Sequence, residues 1–467
     1  MSRILVILDD TLGPKMAGPS IRAIHIALEL ATAHDVRLVS TRECTLTRAD
    51  LDCRYVPYGR LPAQVEWAEV VVFQGYVMEK APWLGQTDRV LVVDLYDPMH
   101  LEQLAMAGTI DDANRVANTN TSVRVLNEQM VRGDFFLCAS EQQRHFWLGG
   151  LASVGRLNVT NYDADSSARS LIAVCPFGLP AESPSRTGPA IRGVTPGIGP
   201  DDEVILWAGG VYNWFDPLTL VRAMDTLRMS RGDVRLYFLG MAHPDPLMPQ
   251  MRTAVDALEL SGALGLTGRH VFFNEGWVPY AERQNYLLDA DLGVSTHLDH
   301  LETTFSFRTR ILDYLWAGLP IVSTRGDSFG DLIDREGLGR AVPEGDPGAL
   351  AAALGELLAD RAVAARCREN IARVRPRFTW EQALAPLLRF CEQPRRAADH
   401  LAGTAPVTGE PLAVPVTHVP SLRGDLRLVG EYYRRGGLTE IARRVRGRLA
   451  RAGRQFADRS ARGPRRG

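Results

Sequence analysis

The sequence predicts an α/β protein built as two halves, each a parallel sheet covered by helices. Three observations predict it. Short apolar runs alternate with helical patterns along most of the chain, as buried parallel strands do. A stretch rich in Pro, Gly and Ser, residues 177–202, interrupts that alternation once. The length, 467 residues, exceeds what one core usually supports.

In the first half the strand-like runs are residues 4–8, 36–40, 70–73, 90–93, 135–138 and 172–175. In the second half they are 204–208, 234–239, 271–273, 292–295 and 321–323. The expected organisation is a Rossmann-like domain over 1–178, a linker over 179–202 and a second Rossmann-like domain over 203–377. A helical segment over 378–402 follows, then a Pro-, Val- and Thr-rich spacer over 403–420 and a tail over 421–467.

That tail is electrostatically distinct. It holds 14 Arg against 4 acidic residues, a net of +10, whereas the whole chain is −2, so residues 1–420 carry −12. Leu438, Ile441, Val445 and Leu449 recur at helical spacing among arginines, the pattern of a basic amphipathic helix suited to anionic lipid. A solvated tail, or one held by the acidic body, fits the same charge.

A hydrophobic fraction of 45% with 23% charged residues is that of a soluble globular protein, and no apolar run approaches the ~20 residues that span a bilayer. Acidic Asp9 and Asp10 directly follow the first apolar run, unlike a secretory signal, so a cytoplasmic location is expected, with peripheral contact at the inner face of the plasma membrane through the tail. Cys44, Cys53, Cys138, Cys175, Cys367 and Cys391 show no metal-binding spacing and read as free thiols; no metal site and no nucleic-acid partner are expected.

Residues 305–324 carry the most chemistry. A helix is expected over 309–317, closed by a Gly-x-Pro turn at Gly318 to Pro320 that leads into a strand. Free N–H groups and the positive dipole end at its start suit phosphate, and Arg308 and Arg310 would complete an anion pocket. Upstream, Gly209 and Gly210 stand at a strand-to-helix turn whose backbone can cradle phosphate, with Asn213 adding polar surface. In the first half, small residues around Gly18 let a ligand approach the backbone before a helix. Asp97 lies at the carboxyl end of a strand, where open α/β sheets bind ligands; it fits a helix cap equally well. His243 follows a strand-end glycine and is a further ligand candidate, and Trp277 fits either base stacking or core filling.

These motifs resemble the family 4 glycosyltransferases of the GT-B fold, by order of elements over roughly residues 3–402 and residue by residue over 204–324. The resemblance implies two Rossmann-like domains facing a cleft, a nucleoside diphosphate sugar as co-substrate with no other cofactor, and transfer with retention to a glycan, glycolipid or small-molecule acceptor. It places Asp313 where the family binds the donor ribose. Family members often carry a glutamate eight positions before that acid; here Phe305 stands there, and Glu302 is the nearby carboxylate that can replace it. The Arg and Lys usual in the Gly209–Gly210 turn are missing, which shifts that charge to Arg308 and Arg310. A sugar-nucleotide 2-epimerase of the same fold and a non-catalytic nucleotide-sugar-binding homologue are the alternatives.

Overall fold

The computed structural model describes residues 1–243 and 248–406. The tail over 421–467, and the expected spacer beyond residue 406, lie outside the described residues. Two parallel sheets organise the rest. In the first the strands stand in the order Asp52–Tyr55, Asp35–Ser40, Arg3–Leu8, Val70–Gln74, Val90–Asp94, Phe135–Cys138, Ile172–Val174. In the second the order is Val271–Phe273, Val234–Gly240, Glu203–Gly210, Leu292–Ser295, Ile321–Thr324, Gly339–Val342. Each sheet therefore starts in its middle, runs to one edge, and returns to build the other half, which leaves a crevice at the carboxyl ends of its first and fourth strands.

Burial explains the sequence pattern. Leu5, Val6 and Ile7 are almost wholly buried, as are Val70 to Phe73, because helices cover both sheet faces. Helix Gly18–Ala31 opens with Pro19 in its first turn and buries Ala23, Ile24, Ala27 and Leu30 against the sheet. Helix Thr309–Ala317 ends because Gly318 adopts a left-handed backbone, φ 71°, after which Leu319 and Pro320 lead into Ile321–Thr324.

The Pro- and Gly-rich stretch is packed. Asp289 accepts backbone N–H groups from Ala190 and Ile191, and Ile191 and Ile198 join the second domain's core. Beyond Thr379, helix Trp380–Glu392 lies on helix Gly18–Ala31, with the Trp380 ring stacked 4.4 Å from that of His25. The chain then returns to the first domain: Arg156 and Asp399, both fully buried, form a bidentate pair, and Arg156 Nη1 donates to the carbonyls of Met130, Val131 and Gly133.

Candidate active site between the two sheets

A cavity of about 410 Å³ lies between the domains at the strand carboxyl ends. Its first-domain wall comes from the turn before helix Gly18–Ala31 and from Tyr96, Asp97 and Glu102. Its second-domain wall comes from Ala208 to Gly210, His243, Trp277, Arg283, and the segment from Ser306 to Asp313. Gly18, Gly209, Gly210, Asp97, His243, Trp277, Glu302, Arg308, Arg310 and Asp313 thus meet in one place. Asn213 does not line it: its amide donates to Thr109 at 2.8 Å and its carbonyl accepts from the Thr253 N–H at 3.3 Å, joining the domains outside the cavity.

The Gly209–Gly210 turn is built for close approach. Gly209 has φ 92°, and a Cβ on Gly210 would meet the Tyr212 ring at 2.9 Å. The register shifts between Trp207 and Gly210, so the strand opens into the cavity. Tyr314 supports that turn from beneath. Its hydroxyl accepts from the Ala208 N–H at 3.0 Å and lies 2.9 Å from the Leu206 carbonyl and 2.8 Å from that of Val294. Gly293 leaves room for the ring, since a Cβ there would sit 2.3 Å from it.

The two arginines expected to act alike are placed differently. Arg308 forms a bidentate pair with Glu302, at 2.8 and 2.7 Å, and both are buried. Sequence reasoning offered Glu302 in place of the glutamate missing at Phe305; here its carboxylate balances a guanidinium. Arg310, only 6% exposed, lies 4.0 Å from the Trp207 ring and 3.9 Å from that of Phe215. Its Nη2 donates to the Gly210 carbonyl at 2.8 Å, while Nη1 is buried without a partner. Burial lowers its pKa to about 10, so it stays charged at neutral pH. Asp313 accepts from Arg283 at 3.1 Å, a residue the sequence reading passed over; Arg283 also lies over the Tyr280 and Trp316 rings.

On the opposite wall, Asp97 is not a side-chain cap; Pro98 precedes helix Met99–Leu104, and that helix has no side-chain cap bond. The first turn of the helix brings Glu102 back beside Asp97. Burial, then the charge of Glu302, pushes the Asp97 carboxyl up to about 7, and burial followed by the Asp97 charge holds Glu102 well above the ordinary carboxylate range. His100, in the same helix, points elsewhere and stacks 5.6 Å from the Phe146 ring.

Residues 202–360 match the family model of the glycosyl transferases group 1. The chain is a glycosyltransferase, its second domain of the group 1 type. No curated protein matches its sequence. Among solved structures, the glycosyltransferase is similar to sucrose-phosphate synthase from Thermosynechococcus elongatus, with 16% identity over 84% of this chain and 99% of that one, TM-score 0.60. It is similar also to HepE from Anabaena in complex with UDP and glucose, 15% identical over 84% of this chain and 100% of that one, TM-score 0.61. A third is WaaG, a glycosyltransferase involved in lipopolysaccharide biosynthesis, 16% identical over 86% and 100%, TM-score 0.57. Their common architecture is GT-B, two Rossmann-like domains. Among the described residues no helix of the glycosyltransferase is long and apolar enough to cross a membrane.

Proposed function

We propose that this glycosyltransferase moves a sugar, with retention, from a nucleoside diphosphate donor onto a glycan, lipid-linked or small-molecule acceptor. The observation that carries the reading is Arg310: a buried cation with an unpartnered Nη1 beside the Gly209–Gly210 turn. An unpaired buried charge is costly, and a diphosphate placed there removes the cost by charge-assisted hydrogen bonds. The N–H groups at the start of helix Thr309–Ala317 add to the same pocket. UDP is the favoured nucleotide, because HepE is a fold neighbour in complex with UDP and glucose.

On this reading Asp313, steadied by Arg283, receives the ribose, and Glu302, held by Arg308, faces the transferred sugar. Catalysis is chiefly electrostatic: the Arg310 charge and the helix start stabilise the leaving diphosphate while the acceptor hydroxyl attacks. Asp97, on the facing wall, lies on the acceptor side. The basic tail would hold the enzyme at an anionic surface on the cytoplasmic side, each cation near the lipid adding about 1 kcal/mol.

Calorimetric titration with UDP, GDP and TDP, followed by turnover with the matching sugar donors, tests the reading. Arg310→Ala should weaken UDP at least about tenfold, since a charge-assisted bond contributes about 1.5–3 kcal/mol. Unchanged UDP affinity in folded Arg310→Ala protein would remove the diphosphate from this pocket. Binding without turnover over the whole panel would favour the non-catalytic homologue.

A further inference from the structure

Asp313, Arg283 and Tyr280 line the second-domain side of the cavity in contact with one another, and the last of them is held from the first domain. Asp313 accepts from Arg283 Nε at 3.1 Å. Arg283 Nη1 and Nη2 donate to the backbone carbonyl and the hydroxyl of Tyr280, at 3.0 and 3.1 Å. That hydroxyl lies 3.1 Å from Nε2 of His25, on helix Gly18–Ala31 of the first domain. His25 itself does not line the cavity; its ring is stacked on that of Trp380 at 4.4 Å.

The proton inventory gives this series a direction. A guanidinium only donates, so the Tyr280 oxygen accepts from Arg283 and its single O–H is left for His25. Nε2 of His25 is then the acceptor, which requires a neutral ring with its proton on Nδ1. Burial, then the Arg283 charge, lowers the His25 imidazole to about 3, and burial pushes the Tyr280 phenol up to about 12, so both are neutral at neutral pH. With its proton committed to His25, the hydroxyl keeps a lone pair turned to Arg283, and hydrogen bonds in series strengthen one another.

We propose that His25 is a positioning residue for the donor ribose: through Tyr280 and Arg283 it fixes the Asp313 carboxylate, so the first domain takes part in reading the nucleotide held by the second. This rests on the donor reading, in which Asp313 receives the ribose, and deepens it by naming what holds Asp313 in place. Parting the domains separates His25 from Tyr280, so ribose recognition sharpens as the two halves meet.

Full-length protein is titrated with UDP, 2′-deoxy-UDP and 3′-deoxy-UDP by calorimetry, each variant being checked for an intact melting transition. A ribose hydroxyl bound to a carboxylate should make UDP bind about tenfold or more tightly than at least one deoxy analogue. His25→Phe keeps a ring against Trp380 and deletes the acceptor; it should narrow that preference at least about threefold. His25→Gln gives up the stack but returns an acceptor near the Nε2 position, and should keep most of the preference. A purely packing role predicts the opposite order, with His25→Gln the more damaging. Tyr280→Phe should match His25→Phe, and the two combined should do no more than either alone. The proposal is overturned if His25→Phe leaves the preference intact or if His25→Gln loses it as fully. Should UDP bind without any preference over the deoxy analogues, the ribose assignment of Asp313 falls and the proposal with it, whereas absent UDP binding removes the donor reading itself.

Discussion

Trp277 of the second domain donates its indole N–H to the backbone carbonyl of Met16 in the first, at 3.1 Å. Three residues on, the Tyr280 N–H donates to the Pro14 carbonyl at 2.9 Å, so a pair of main-chain acceptors in one glycine-containing loop holds the cleft closed on that side. The indole also covers Gly240, where a Cβ would meet the ring at 3.3 Å.

Trp277→Phe keeps an aromatic ring, though a smaller one, and deletes the donor. The Met16 carbonyl then loses its partner, and about 1 kcal/mol of the closed arrangement should be lost. The expected result is a UDP affinity several-fold weaker, with a melting temperature lowered by no more than a few degrees. UDP binding identical to wild type would show that this bond plays no part in forming the donor pocket.

Tyr314→Phe addresses the support beneath the Gly209–Gly210 turn. It strips a hydroxyl that satisfies the Ala208 N–H and reaches the carbonyls of Leu206 and Val294, all within a buried layer. Leaving such groups unpaired costs about 1–3 kcal/mol. Chemical denaturation should register that loss, and UDP titration should show weaker binding, because the glycine turn loses its anchor. A stability loss with donor affinity intact would confine Tyr314 to the core.

Asp97→Asn has a signature in pH. The folded Asp97 carboxyl titrates near 7, above its ordinary value of 3.8, so between about pH 4 and 7 the folded state keeps a proton that the unfolded chain releases. Stability attributable to the pair is therefore complete below pH 4 and declines as pH rises through that window. The variant removes the conflict with Glu102 and should melt above wild type at pH 7.5, by on the order of 1–2 kcal/mol, the difference closing toward pH 4. A difference independent of pH, followed by scanning fluorimetry across that range, would refute it.

Helix Thr309–Ala317 was fully legible in the sequence because its signals are local: an apolar stripe, a glycine that can turn left-handed, and a proline beyond it. The central strands were legible for a related reason, since burial on both faces leaves an unbroken apolar run. Asp52–Tyr55 and Gly339–Val342 were missed because neither carries an unbroken apolar run: the first, half-exposed at a sheet edge, reads Asp-Cys-Arg-Tyr, and the second reads Gly-Arg-Ala-Val. The same boundary divides the site. A cation beside a helix start is visible as Arg308 and Arg310, but which of the two is already neutralised depends on how helix Leu301–Phe305 folds Glu302 back onto Arg308. Asn213 looked like a ligand group because its partner, Thr109, lies 104 residues away. Glu102 escaped notice for the opposite reason: it is close in sequence to Asp97, yet only the turn of helix Met99–Leu104 shows that the two face each other.

The buried pair of Arg156 and Asp399, with Trp380 stacked on His25, has a consequence for biosynthesis. Residues 380–404 are made after both domains, yet they complete the first. A nascent chain halted after residue 377 would leave Arg156 facing three backbone carbonyls without its carboxylate, and helix Gly18–Ala31 without its cover. The amino-terminal half must therefore wait, incompletely sealed, until the second domain and the segment after it have been translated, and the docking of residues 380–404 becomes the event that locks both halves together.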